Sequence, residues 1–182
     1  PDGQWIAYSS GNPQKAGLWK IHPDGGGAVR VVTGRVSLPD VSPDGRHVLY
    51  RSFSGKYPAI LRVVRLEDGQ AEPFEIAVDA KRRTTVTLGR ARWMPDGKGI
   101  AFVGQDESGA SGVYVQDFEP GRDTAATRRK LAGFDPDVAA ESFGVAPDGS
   151  RLALAGWVQL FSLMEGEGLA GLLAPPRVGV AP

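Results

Sequence analysis

The chain has 182 residues, enough for one domain or slightly more, and its 41% hydrophobic and 23% charged residues are an ordinary globular mixture. Its 21 basic and 21 acidic residues cancel, which argues against a nucleic-acid partner, because grip on a phosphate backbone needs a surplus of cations. The lack of cysteine excludes disulfides, thiol nucleophiles and iron–sulfur clusters, and no apolar run approaches the ~18 residues of a membrane-spanning helix, so this segment is not expected to insert into a membrane.

Turns dominate the rest of the composition. The 25 glycines and 14 prolines exceed the ~12% combined share of average proteins and imply many short elements. Pro-Asp-Gly occurs five times, and four copies begin a longer repeat. These are Pro1-Asp2-Gly3-Gln4-Trp5-Ile6-Ala7-Tyr8, Pro43-Asp44-Gly45-Arg46-His47-Val48-Leu49-Tyr50, Pro95-Asp96-Gly97-Lys98-Gly99-Ile100-Ala101-Phe102 and Pro147-Asp148-Gly149-Ser150-Arg151-Leu152-Ala153-Leu154. They are spaced by 42, 52 and 52 residues. A spacing of ~40–45 residues is the size of one four-stranded propeller blade, and the longer repeats would carry loop insertions.

In chain order, the first blade is predicted to have strands at Gln4–Ser9, Gly17–His22 and Ala28–Thr33, with its first strand missing and Pro23-Asp24-Gly25-Gly26 forming a hairpin. The second has strands at Leu38–Ser42, His47–Ser52, Ala59–Leu66 and Pro73–Val78, with Leu66-Glu67-Asp68-Gly69 at the same hairpin position. The third runs Arg90–Met94, Gly99–Gly104, Gly112–Phe118 and Arg128–Ala132. The fourth starts with Glu141–Ala146 and Arg151–Gly156, and Val158–Met164 is either its third strand or a short helix. In each Pro-Asp-Gly turn proline presets φ, aspartate accepts a local hydrogen bond and glycine supplies a positive φ. Asp2, Gly3, Asp44, Gly45, Asp96, Gly97, Asp148 and Gly149 are therefore assigned to turn structure, not catalysis.

The expected fold is all-β: a partial β-propeller of about three and a half four-stranded blades, part of a larger toroid. The blades occupy residues 1–164, with boundaries near 35, 88 and 140, and a Gly/Pro-rich tail occupies 165–182. The chain opens inside a repeat, so further blades are expected upstream.

Val41-Ser42-Pro43-Asp44-Gly45-Arg46-His47-Val48-Leu49-Tyr50 and its three relatives resemble the PD40 repeat, the WD40-like repeat of TolB-type β-propellers. Gly17-Leu18-Trp19-Lys20-Ile21-His22 and Gly112-Val113-Tyr114-Val115-Gln116-Asp117 resemble that family's third strand, with glycine replacing the aspartate that opens it. The resemblance spans about residues 1–156. It implies a bacterial binding propeller, periplasmic or otherwise extracytoplasmic: a TolB-like scaffold or the sensor region of a serine/threonine kinase. The alternative is the gating propeller of a prolyl-oligopeptidase-like serine peptidase. Fold does not decide among them.

Catalytic chemistry is not expected in this chain. Gly-x-Ser-x-Gly does not occur, and Ser108-Gly109-Ala110-Ser111-Gly112 has the wrong spacing. Gly25-Gly26-Gly27 lies between strands rather than before a helix, so it reads as a turn and no cofactor site is expected. The two histidines, His22 and His47, lack a second ligand at metal spacing and are expected at the surface or a strand edge. Asp135-Pro136-Asp137 with Glu141 lacks the array of oxygens that holds calcium and reads as a capped loop. The basic runs Lys81-Arg82-Arg83 and Arg128-Arg129-Lys130 read first as solvated charge. Partner contacts, to a protein or a small ligand, are assigned to Phe53 and Tyr57 in a polar loop and to Lys81, Arg82 and Arg83 as an anion-attracting patch.

Overall fold

The repeated turn closes as the sequence predicts in the computed structural model, which describes residues 3–53, 59–78, 90–105, 108, 110–134 and 138–158. At Ser42 to His47, the Gly45 amide donates to the Ser42 carbonyl (2.9 Å) and the Ser42 amide donates to the His47 carbonyl (2.9 Å). Asp44 Oδ1 accepts from the Ser42 hydroxyl (2.6 Å) and the Arg46 amide (3.0 Å). Burial raises the pKa of Asp44, but these two donors and the nearby His47 and Arg46 outweigh it and hold the carboxyl below its ordinary value. Asp96 accepts from the Lys98 amide and Asp148 from the Ser150 amide in the same way. Gly3, Gly45, Gly97 and Gly149 share φ values of 73°, 74°, 71° and 70°, a left-handed conformation that glycine adopts without steric cost.

The same device is reused in the other hairpins. Asp24 accepts from the Gly26 amide and Asp68 from the Gln70 amide.

Thirteen strands are described, each antiparallel to its neighbours within a sheet. Sheet 1 has the order β1(Ile6–Ser10), β2(Gly17–Ile21), β3(Val29–Thr33). Sheet 2 has β4(Val36–Val41), β5(His47–Ser52), β6(Ala59–Arg65), β7(Ala71–Val78). Sheet 3 has β8(Ala91–Trp93), β9(Gly99–Gln105), β10(Ser111–Asp117), β11(Arg129–Gly133). Sheet 4 has β12(Val138–Val145) and β13(Leu152–Val158). Strands pair only with sequence neighbours, so each sheet is a meander, and β1 lies against β4 as β4 lies against β8. The expected strands match these within a few residues. Val158 ends β13, and the rest of the Val158–Met164 segment lies outside the described residues. One helical element is described, a single 3-10 turn at Ala125–Thr127 before β11.

Alternation along β5 builds the core. Val48 and Tyr50 pack with Leu18 of sheet 1, while Leu49 points the other way and packs with Trp93, Ile100 and Phe102 of sheet 3. Phe74 and Ile76 of β7, both 0% exposed, join that second cluster, and Phe143 extends it to sheet 4. Sheet 2 is thus covered on both faces. Sheet 1 is covered on one: Ile6, at the repeat position of Val48 and Ile100, is 51% exposed while those two are 0% exposed.

Candidate functional site

Of the partner residues assigned from the sequence, Phe53 lies among the described residues. Phe53 follows β5 at the end opposite His47, half-buried, with the guanidinium of Arg51 4.8 Å and that of Arg35 5.7 Å from its ring centroid. Tyr57, Lys81, Arg82 and Arg83 lie outside the described residues, as do Asp2, Asp135, Pro136 and Asp137, and the side chain of Glu141.

The second basic run is engaged within its own blade. Arg128 donates to Oε1 of the fully buried Gln116 (2.9 and 3.2 Å), and Arg129 pairs with Asp117 at 2.9 Å. Burial lowers the pKa of Arg128.

A cleft opens at the end that carries the Pro-Asp-Gly turns, with a volume of about 860 Å³. Three sheets contribute to it. Trp5 and Lys20 come from sheet 1, Arg46, His47 and the hairpin from Arg65 to Gln70 from sheet 2, and Pro120 and Gly121 from the β10–β11 connection. The convergence follows from the meander: the turn before β5, the hairpin after β6 and the connection after β10 all leave their sheets at the same end.

Lys20 forms one wall. It is 8% exposed, and its Nζ donates to the carbonyls of Leu66 (2.8 Å) and Glu67 (2.9 Å). The same ammonium lies 4.7 Å from the centroid of the Trp5 ring, which stacks on His22 at 3.8 Å. A cation over an indole is attracted by the ring quadrupole. In the strand register Lys20 occupies the position held by Val63 in β6 and Val115 in β10, both buried apolar residues. Lysine is therefore a departure of the first blade from the second and third.

His47 and Glu72 form the opposite wall. The expectation of a surface or edge histidine fails for His47, which is 7% exposed because β7 and the segment after β10 close over it. Its Nε2 stands 3.3 Å from Glu72 Oε1 but off hydrogen-bonding geometry, leaving that nitrogen without a hydrogen-bond partner. Glu72 Oε2 accepts from the Gly121 amide at 2.7 Å, tying sheet 2 to sheet 3. Phe118 plugs the junction beneath, edge-on to His47 (5.1 Å), Phe74 (5.9 Å) and Trp93 (4.8 Å).

A second tie runs between β4 and β8. Asp40 accepts from the Trp93 amide (2.9 Å), and the Trp93 indole donates to the Asp40 carbonyl (3.0 Å). Burial holds the Asp40 carboxyl above the ordinary aspartate value, against the lowering effect of the Trp93 amide and Arg92. Asp40 follows a β-bulge between Ser37 and Asp40, where Leu38 adopts a φ of 55°. A bulge re-aims the side chains beside it.

The sequence reading missed Lys20, Glu72 and the cleft itself. The signal available was the lysine standing where the aligned strands of the later blades carry valine.

Comparison with known proteins agrees on architecture. No family model matches the sequence. An uncharacterized protein of Agrobacterium fabrum is 28% identical over 109 residues, covering 57% of this chain and 37% of that protein. Among solved structures, a TolB assignment from Agrobacterium tumefaciens superposes with a TM-score of 0.65 at 16% identity, over 89% of this chain and 54% of that one. The chain has a partial β-propeller fold similar to that of this TolB structure. A prolyl endopeptidase superposes with a TM-score of 0.62 at 14% identity, over 85% of this chain and 23% of that one. The periplasmic gluconolactonase of Pseudomonas aeruginosa gives 0.53 at 11% identity, over 84% and 46%. At these identities the likeness concerns the propeller fold. The arc spans about half the length of the TolB structure and 37% of the relative matched by sequence. Among its described residues no helix is long and apolar enough to cross a membrane, and no three acidic or histidine side chains cluster as metal ligands.

Proposed function

We propose that this arc is a non-catalytic binding module whose partner, a protein segment or small ligand, is received in the cleft at the Pro-Asp-Gly end. The observation that carries this reading is the cleft, about 860 Å³ in volume and shared by loops of three sheets. Rigid strands present these loops, an arrangement suited to recognition. The exposed Arg46, Arg65, Glu67 and Gln70 give its mouth polar specificity.

In its parent protein the arc serves as a scaffold or sensor outside the cytoplasm, as a TolB-like envelope propeller or the sensor region of a kinase would. The exposed Ile6 supports a further blade packed on the free face of sheet 1. The gating propeller of a serine peptidase is the competing reading, favoured by the superposition on prolyl endopeptidase. A hydrolase domain encoded downstream in the parent gene would decide for it.

The binding reading is tested with a photo-crosslinking amino acid placed at Arg46 or Gln70, at the cleft mouth, and at Glu75, exposed on β7. In the producing cells, adducts concentrated at the first two positions are expected. Equal yields at all three, or none, would overturn the reading.

A further inference from the structure

The geometry points to a carboxylate as the group the cleft receives: we infer that Lys20 is the anchor for a carboxylate of a bound peptide, from an acidic side chain or a free C-terminus. This deepens the binding reading above and rests on it.

Lysine is seldom buried without an acidic partner, because desolvating an ammonium is costly unless it is paired. Lys20 is 8% exposed, and no carboxylate lies in ion-pair distance of it among the described residues. An ammonium has three N–H donors. Two meet the Leu66 and Glu67 carbonyls, leaving one without an oxygen partner among the described residues, on a side chain that lines the cleft.

The two carbonyls and the Trp5 ring hold Nζ in place, so a ligand meets a pre-positioned cation with little ordering left to do. The position also argues for a role beyond packing, since the later blades fill it with Val63 and Val115.

The surrounding charges select the anion. Glu67 and Glu72 line the same cleft. They disfavour a dianionic phosphate and leave room for a single negative charge on the ammonium. Trp5, Leu66, Pro73 and Pro120 supply apolar walls for the rest of a peptide, and Arg46 at the rim steers the approaching charge.

The test titrates the isotope-labelled chain with three small probes: N-acetylglutamate amide, N-acetylalanine with its carboxylate free, and N-acetylglutamine amide as the neutral control. The readouts are the Trp5 indole N–H and the Lys20 ammonium resonances. The expected result is that at least one carboxylate probe shifts both signals and binds about ten-fold or more tighter than the control, more weakly as salt rises. The better of the two identifies the source of the carboxylate. Lys20→Met, which keeps the aliphatic stem, should abolish the difference between probe and control.

Equal shifts from all three probes would leave the cleft a binding site and overturn the carboxylate assignment. No shift of either signal by any probe would overturn both readings. A Lys20→Met chain that melts earlier yet keeps the preference would make Lys20 a structural tie and overturn the assignment. If that variant does not fold, the Lys20 ammonium resonance of the unmodified chain still decides: displacement by a carboxylate probe and not by the control supports the assignment, and its absence overturns it.

Discussion

The junction between sheets 2 and 3 and the junction between sheets 1 and 2 use the same repeat positions, yet one is sealed and the other opens into a cleft. At the sealed junction Leu49, Leu61, Val63 and Phe74 meet Trp93, Ile100 and Phe102, and Phe118 closes the end beneath His47. At the open junction Leu18 meets Val48, Tyr50, Val64 and Leu66, and the position of Val63 is taken by Lys20. Phe118 and Leu66 are equivalents, each donating its amide to the residue after the preceding Pro-Asp-Gly, Lys98 or Arg46. A blade repeat thus sets the scaffold, while single departures from it decide whether a junction becomes core or site.

The sharpest way to break this comparison is to remove the sealed junction's largest fully buried side chain. Phe74→Ala should lower unfolding free energy by about 3–5 kcal/mol, read by denaturant titration; a loss under 1 kcal/mol would mean that this junction is not the stabilising one. Next comes a matched pair at one repeat position. Val48→Ser should cost about 2–4 kcal/mol through the lost methyls and a buried hydroxyl, whereas Ile6→Ser should change stability by under about 0.5 kcal/mol and reduce self-association. Similar costs for the two would show that the free face of sheet 1 is covered after all.

A smaller effect is expected in the turns. Gly97→Ala places a Cβ in ordinary contact with Pro43, 3.8 Å away, so only the φ of 71° resists it; the cost should be about 1 kcal/mol, visible as a modest fall in melting temperature.

The smallest effect concerns the tie between β4 and β8. The pKa of Asp40 is raised in the folded state, so the ionised carboxylate detracts from stability as pH rises through the folded value and not below the ordinary value of 3.8. Asp40→Asn retains an oxygen acceptor for the Trp93 amide. It should raise the melting temperature slightly at neutral pH, with the gain fading in acid. Asp44 responds with the opposite sign: its lowered pKa contributes stability above the ordinary value, which is lost as pH falls through the folded one. Thermal melts of Asp40→Asn and Asp44→Asn between pH 3 and pH 7 therefore diverge in opposite directions from the unsubstituted chain. Parallel curves would contradict both assignments.

Strands and turns were legible because their causes are local. An aspartate that accepts an amide hydrogen two residues on, a glycine of positive φ and an alternation of period two are properties of a few consecutive residues. The bounds of β5, His47–Ser52, coincide with the expectation for this reason. The histidine was misjudged because its burial is not local. Glu72 closes over His47 from β7, and Phe118 arrives from beyond β10.

The sequence by itself determined an all-β propeller arc, its repeated turns and the places of its strands. Tertiary structure decided where a site could exist. Lys20 reaches carbonyls 46 and 47 residues away, Gly121 reaches Glu72 across 49, and Trp93 reaches Asp40 across 53. No local pattern encodes such distances. They follow from how far each blade rotates against the next, which depends on the packing of all their side chains together.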